Sequence, residues 1–364
     1  MSDVPFDTSL STGPSSEKIS RDRRAIRIWL YAMCLLVFAM IVVGGATRLT
    51  DSGLSITEWE PIHGVIPPLS VAEWEEELEK YRQIPEYQLV NKGMSLAEFQ
   101  FIYWWEWGHR LLGRVIGVAF FVPLVWFWAR GRVERGLLPW LVGGFVLGGM
   151  QGVIGWWMVV SGLADRVDVS QYRLATHLTL ACLIFAYLFG LARYLALIPA
   201  TVPRPAMKKG AYTGAAAAIV ALLFVQIFLG GLVAGLKAGL AFNTWPLMDG
   251  AFIPAGLWTM TPVWLNHFES VLTVQFQHRM TAYALAIAAV WLWVSVMRNP
   301  AARHLATAAP VLVLAISVQM VIGIATLLGQ VPFWLALAHQ GFIVVVIAAC
   351  IEVWARARFA ARAV

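Results

Sequence analysis

The sequence predicts an all-α integral membrane protein of eight transmembrane helices, built as two tandem four-helix bundles related by a pseudo-twofold axis along the membrane normal. Three observations carry that expectation. Of the 364 residues, 59% are hydrophobic and 13% charged, with a mean hydropathy of +0.69, and a soluble domain of this size needs more charged surface than that. Apolar runs of about 20 residues, the length that crosses about 30 Å of hydrocarbon as a helix, recur eight times. The stretches that follow the first and fifth runs also resemble one another. A water-soluble enzyme, a disordered scaffold and a secreted disulfide mini-protein are therefore excluded. The net charge of +6 does not point to nucleic acid, because the basic residues form short clusters between apolar runs and no basic stripe.

The spans are expected at 26–46, 104–128, 137–161, 171–197, 211–235, 267–296, 305–328 and 332–355. Before the first lies a tail, 1–25, rich in Ser and Arg and lacking a small-residue cleavage site, so the first span is expected to be an uncleaved anchor. Lys and Arg concentrate in alternate loops, which marks the cytoplasmic side. They are Lys18, Arg21, Arg23, Arg24 and Arg27 in the tail, Arg130, Arg132 and Arg135 in the second loop, and Arg193, Arg204, Lys208 and Lys209 in the fourth. Arg298 and Arg303 follow in the sixth loop, and Arg356, Arg358 and Arg362 at the C-terminus. The longest loop on the other side, 47–103, is acidic, with Glu73, Glu75, Glu76, Glu77 and Glu79 in one run. Both termini are thus expected in the cytoplasm. Cys34, Cys182 and Cys350 all fall within spans, as small apolar packing residues with no disulfide to form.

The repeat aligns without a gap at an offset of 186 residues. Gly44-Gly45 matches Gly230-Gly231, Gly53-Leu54 matches Gly239-Leu240, Trp59 matches Trp245, Gly64 matches Gly250 and Pro68 matches Pro254. His109-Arg110 then matches His278-Arg279 at 169, Gln151 and Gly155 match Gln319 and Gly323 at 168, and His177 matches His339 at 162. Four spans per half, an even number, give both halves the same orientation. The halves are expected at 26–198 and 211–356, joined by a cytoplasmic linker, 199–210, with a C-terminal tail at 357–364.

His109, His177, His278 and His339 each enter an even-numbered span from the outside, so they occupy similar depths. The second and fourth helices of each half supply one imidazole apiece. That arrangement can place two axial nitrogens on opposite faces of a haem within a four-helix bundle, whereas zinc would need further ligands. His63, His267 and His304 have no repeated partner and are read as ordinary polar residues. Arg110 and Arg279 adjoin repeated histidines and Arg114 lies one turn from Arg110. Each can meet a haem propionate or snorkel to the outer surface. Glu106 lies three residues before His109, yet its counterpart is Gln275. A carboxylate beside only one of two haem sites can act as general acid or base, stabilise positive charge developing on a porphyrin substituent, or serve the dipole of its helix as a first-turn acid. Between the first and second spans, the outer loop holds an amphipathic acidic helix, Ser70 to Arg82, and then Phe99, Phe101, Tyr103, Trp104 and Trp105, expected to form an interfacial belt.

GGATRLTDSGLSITEW from Gly44, EWGHRLLGR from Glu106, ATHL from Ala175, GGLVAGLKAGLAFNTWPLMDG from Gly230, QHRMTAY from Gln277 and AHQ from Ala338 together resemble the haem A synthase family of the mitochondrial and alphaproteobacterial type. The resemblance spans both halves. It implies an oxidoreductase that converts the C8 methyl of haem O to the formyl group of haem A by successive hydroxylation and loss of water, supporting cytochrome c oxidase assembly from a bacterial inner membrane. It further implies a resident haem b on His278 and His339, a substrate haem on His109 and His177, and Glu106 as the catalytic acid. The implied partners are a haem O synthase (protoheme farnesyltransferase), oxidase assembly factors and membrane lipid around the isoprenoid tail of haem O. Some bacterial members carry a cysteine pair in the first outer loop, which this chain lacks. The competing readings are a dihaem b-type electron carrier and a haem chaperone or transporter. GGFVLGG from Gly143 has the small-residue spacing of close helix contacts, within the chain or in a homo-oligomer.

Overall fold

The computed structural model describes residues 16–60, 63–198 and 210–359. The linker expected at 199–210 lies outside these residues but for Gly210, as do Arg204, Lys208, Lys209 and Arg362 and most of the tail 1–25. Among the described residues eight helices are long and apolar enough to cross a membrane, and the chain is a multi-pass α-helical membrane protein. In order they are α1 (Ser16–Leu49), α4 (Leu96–Ala129), α5 (Leu138–Leu163), α6 (Gln171–Leu197), α7 (Thr213–Gly235), α9 (Val271–Arg298), α10 (Ala308–Leu328) and α11 (Phe333–Phe359). Among the described residues three short α-helices lie between them: α2 (Val71–Arg82) and α3 (Pro85–Leu89) in the first outer loop, and α8 (Asn266–Glu269) just before α9.

Two helices begin well before the expected spans. α1 starts at Ser16 and not 26, and α4 starts at Leu96 and not 104. Ser95 caps α4 through a reciprocal box with Glu98, so helix geometry is set by the cap and not by the apolar boundary. One expectation falls with this: Glu106 sits in the third turn of α4, and the first-turn dipole reading does not apply.

Every packing among the first four long helices has a counterpart among the last four. α1 packs on α4 and α6 as α7 packs on α9 and α11, and α5 joins α4 to α6 as α10 joins α9 to α11. The seam between the two sets is made by α6 on α7, α1 on α11, and α6 on α11. It is tight because small residues face each other: a Cβ on Gly231 would come within 2.6 Å of the Ala175 Cα, and one on Gly235 equally close to Gln171. Cys34, Cys182 and Cys350 are buried free thiols of the core. Of the GGFVLGG run, Gly143 and Gly144 meet Tyr187 and Leu188 of α6, while Gly148 and Gly149 face open space.

At the helix ends where the sequence gathers its basic residues, four of the arginines form ion pairs. Arg23 meets Glu134 at 2.5 Å, Arg132 meets Asp22 at 2.6 Å, and Arg193 and Arg356 share Glu352. At the opposite ends, α2 and α3 fold onto the start of α4 around Trp74, Leu78, Tyr81, Phe99 and Tyr103. The expected aromatic belt is therefore divided. Phe99 and Tyr103 are core residues of this outer subdomain, and Phe101 and Trp104 are exposed. The helical period decides it, since residues 99 and 103 share the face that α2 covers.

Candidate functional site: two histidine pairs

The four repeated histidines are half-buried, and each ring lies against a glycine of a neighbouring odd-numbered span. A Cβ on Gly44 of α1 would approach His109 Nε2 to 3.0 Å, and one on Gly155 of α5 would approach His177 Cε1 to 2.9 Å. In the second set, Gly230 of α7 stands against His278 at 3.1 Å and Gly323 of α10 against His339 at 2.7 Å. Any side chain there would displace the ring, so glycine is the residue that lets an imidazole stand between two helices. His109 and His177 are near enough to interact electrostatically, as are His278 and His339. Each half thus holds its own pair.

Two imidazoles per half are the donors that a porphyrin iron needs, because the macrocycle supplies its other four ligands. Among the described residues no cluster of three or more His, Cys, Asp or Glu is placed to hold a bare metal ion. Buried atoms without partners among the described residues also gather here: Gln151 Oε1, Gln226 Oε1, Gln319 Oε1 and Arg279 Nε. The pairs and these polar atoms fit haem.

The helix turns flanking each α4 and α9 histidine clamp an outer loop. Arg110 donates from Nη2 to the Ile56 carbonyl at 2.7 Å and from Nη1 to Glu58 at 2.9 Å. Arg279 donates from Nη2 to Phe242 and from Nη1 to Thr244, both at 2.8 Å. Ile56 and Phe242, like Glu58 and Thr244, are 186 residues apart, so the repeat read from the sequence recurs as individual hydrogen bonds. Glu106, 2% exposed, accepts four donors: Ser55 Oγ and Ile56 N at 2.8 Å on one oxygen, Arg110 Nη2 at 2.6 Å and Nε at 3.1 Å on the other. Gln275 does the same work with opposite polarity. Its Nε2 donates to the Ala238 and Ala241 carbonyls at 2.7 and 2.6 Å, and its oxygen accepts from Arg279 at 2.9 Å.

Arg114 reaches outward to the Glu60 carbonyl at 2.7 Å. With Arg110 it borders a cleft of about 270 Å³ between the first outer loop and α4, lined also by Glu58, Glu60 and Tyr103. His267 is apart from both pairs, against Trp258 and Gln277. Sequence reasoning did not foresee Ser55, although its match at position 241 is alanine, nor Arg48, which crosses the seam from α1 to the Ala234 carbonyl of α7. Of the glutamines beside the histidines, Gln151 and Gln319 were visible only as repeat markers and Gln226 was not singled out.

Fold and site together define a polytopic membrane protein with a pair of histidines in each half. The chain belongs to the family described as cytochrome oxidase assembly protein, whose model matches residues 27–351. It is 54% identical over 339 residues to "Heme A synthase" of Chelativorans sp. (strain BNC1), covering 93% of this chain and 92% of that one. The protein of the same name from Parvibaculum lavamentivorans is 56% identical over 338 residues, covering 93% and 95%. That of Brucella ovis is 53% identical over 342 residues, covering 94% of each.

Proposed function

We propose that this chain is a haem A synthase, oxidising the C8 methyl of haem O to a formyl group by successive hydroxylation and loss of water for cytochrome c oxidase. The observation that carries the reading is an asymmetry: two like histidine pairs, of which one alone has a buried carboxylate, Glu106, in the adjoining turn. Two equal electron-transfer haems would have no use for that difference. The names of relatives at 53–56% identity agree with it.

In this reading His278 and His339 hold a resident haem b, and His109 and His177 hold the substrate haem. A haem b bound there supplies one-electron redox chemistry. Glu106 is held in place by its four donors, which favours electrostatic stabilisation of positive charge on the porphyrin edge over proton shuttling, since a saturated carboxylate must break bonds to take a proton. Arg110 is neutralised by that carboxylate and acts as the loop clamp. Among the described residues Arg279 has no ion-pair partner and has a buried Nε–H to spare, so it is the arginine assigned to a propionate, with Arg114 at the mouth of the outer cleft.

The two halves, 26–198 and 211–356, are taken as related by a pseudo-twofold axis along the membrane normal. Both termini are placed in the cytoplasm of a bacterial inner membrane. A haem O synthase would supply the substrate, lipid would receive its isoprenoid tail, oxidase assembly factors would take the product, and a second copy of the chain would pack on the open glycines of α5.

The test is co-expression with a haem O synthase in a host that makes no haem A, followed by mass measurement of the extracted haems. Haem A or its hydroxymethyl precursor is the expected result. A folded, haem-loaded protein that yields only haem B and haem O would overturn the reading in favour of the electron carrier.

A further inference from the structure

Three of the four imidazoles carry a glutamine amide from the neighbouring helix. Gln151 Nε2 lies 3.2 Å from His177 Nδ1, Gln226 Nε2 lies 3.1 Å from His278 Nδ1, and Gln319 Nε2 lies 3.3 Å from His339 Nδ1. Where both ring nitrogens are in reach, Nδ1 is the nearer. Each glutamine stands four residues before the glycine on which its histidine rests, in the pairs Gln151 and Gly155, Gln226 and Gly230, and Gln319 and Gly323. One helical turn puts amide and glycine on a single face.

The fourth imidazole breaks the rule. His109 rests on Gly44, but the residue four places earlier is Met40, whose methyl packs toward Gly113. A thioether gives no useful hydrogen bond to a ring nitrogen.

A histidine bound to iron through Nε2 carries its proton on Nδ1 and needs an acceptor there to fix tautomer and ring angle. The carbonyl oxygens of all three glutamines are buried without a partner among the described residues, and rotation about the terminal side-chain torsion exchanges them with the nitrogens that now face Nδ1. Gln151 and Gln319 also donate to the His177 and His339 carbonyls at 3.0 and 2.9 Å. Those carbonyls lie within α6 and α11 and can return to the helical ladder alone.

We infer that Gln151, Gln226 and Gln319 are positioning residues that accept the Nδ1–H of a haem-ligating histidine, and that Met40 leaves His109 as the one unsupported, exchangeable ligand. The second half then grips its haem by two oriented imidazoles and the first half by one. A resident group needs the former, and a substrate that must enter and leave needs the latter. The inference about His109 rests on the assignment of the substrate to the first half.

The experiment uses the full-length protein loaded in the co-expression host, with low-spin electron paramagnetic resonance, redox titration and haem transfer to apomyoglobin as readouts. Gln226→Leu should raise the midpoint potential of the resident haem, shift its g-values, and speed its loss about 10-fold. Gln226→Glu, a stronger acceptor, should move the potential the opposite way, which a packing defect would not do. Met40→Gln should slow transfer from the first half about 10-fold and leave the resident signal unchanged. Unchanged g-values and potential in both Gln226 variants would overturn the positioning role, whichever half holds the substrate. If instead they shift, but mass measurement finds the converted haem on His278 and His339, the lability argument for His109 is overturned while the glutamine role stands.

Discussion

In the first half a carboxylate closes the loop over the histidine, and in the second an amide does. Glu106 accepts from the Ser55 hydroxyl and the Ile56 N–H, whereas Gln275 donates to the Ala238 and Ala241 carbonyls. The mechanical result is the same, since each loop is held to the turn that bears its histidine. The electrostatic result differs. Glu106 and Arg110 cancel at 2.6 Å, while Arg279 keeps its positive charge. The two halves therefore share a clamp but differ in its charge, one holding a carboxylate paired with its arginine and the other a cation suited to a bound anion.

The comparison breaks most completely at the histidines. His278→Ala and His339→Ala should each abolish the resident low-spin haem in the purified protein, while His109→Ala should retain it and lose conversion of haem O. A pigment analysis showing equal haem loss in all three variants would erase the distinction between the halves. Next in size, Glu106→Gln should keep both haems and lower product formation by about 100-fold or more, as expected when a preorganised charge is removed. Normal product from that variant would remove Glu106 from the chemistry. Arg279→Leu should weaken haem retention in the second half by about 10-fold, the scale of one charge-assisted hydrogen bond, and Arg110→Leu should instead loosen the first outer loop. Haem-transfer rates and hydrogen exchange across residues 52–60 separate the two.

The smallest effect concerns the outer subdomain, which has no equivalent in the second half. Burial pushes the Glu86 carboxyl up to about 7, against the effect of the Tyr81 hydroxyl that donates to it at 3.0 Å. With its folded value raised, the neutral form stabilises the fold. That contribution is full below the ordinary carboxylate value near 4.5 and is lost as pH rises through about 7. Hydrogen exchange in α2 and α3, corrected for intrinsic rate, should be about 10-fold slower at pH 5.5 than at pH 8. Glu86→Gln should flatten that dependence, and a slope unchanged by the substitution would place its origin elsewhere.

Six of the eight spans begin within a few residues of where hydropathy places them, because an apolar run long enough to cross hydrocarbon has few alternatives. The two early starts, at Ser16 and Leu96, are polar helical turns beyond the apolar stretch, to which hydropathy is blind. The aromatic cluster at 99–105 looked like a belt for a related reason. Composition gives a ring's affinity for an interface, but not the acidic helix α2 that comes to cover Phe99 and Tyr103.

The sequence by itself determined the membrane class, the eight spans, the 186-residue register and the four histidines with Glu106 and Gln275 beside two of them. Each of these follows from periodicity or from a comparison of the chain with itself. Only the tertiary structure decided which glycine each imidazole rests on, that Glu106 is saturated by four donors, and that Gln151, Gln226 and Gln319 lie against ligand-type histidines while Met40 takes the fourth place. Those facts depend on how two helices rotate against each other. A linear repeat can show that Gln151 and Gln319 correspond, but the orientation of a polar side chain between spans is fixed by the close packing of small residues on both sides of it.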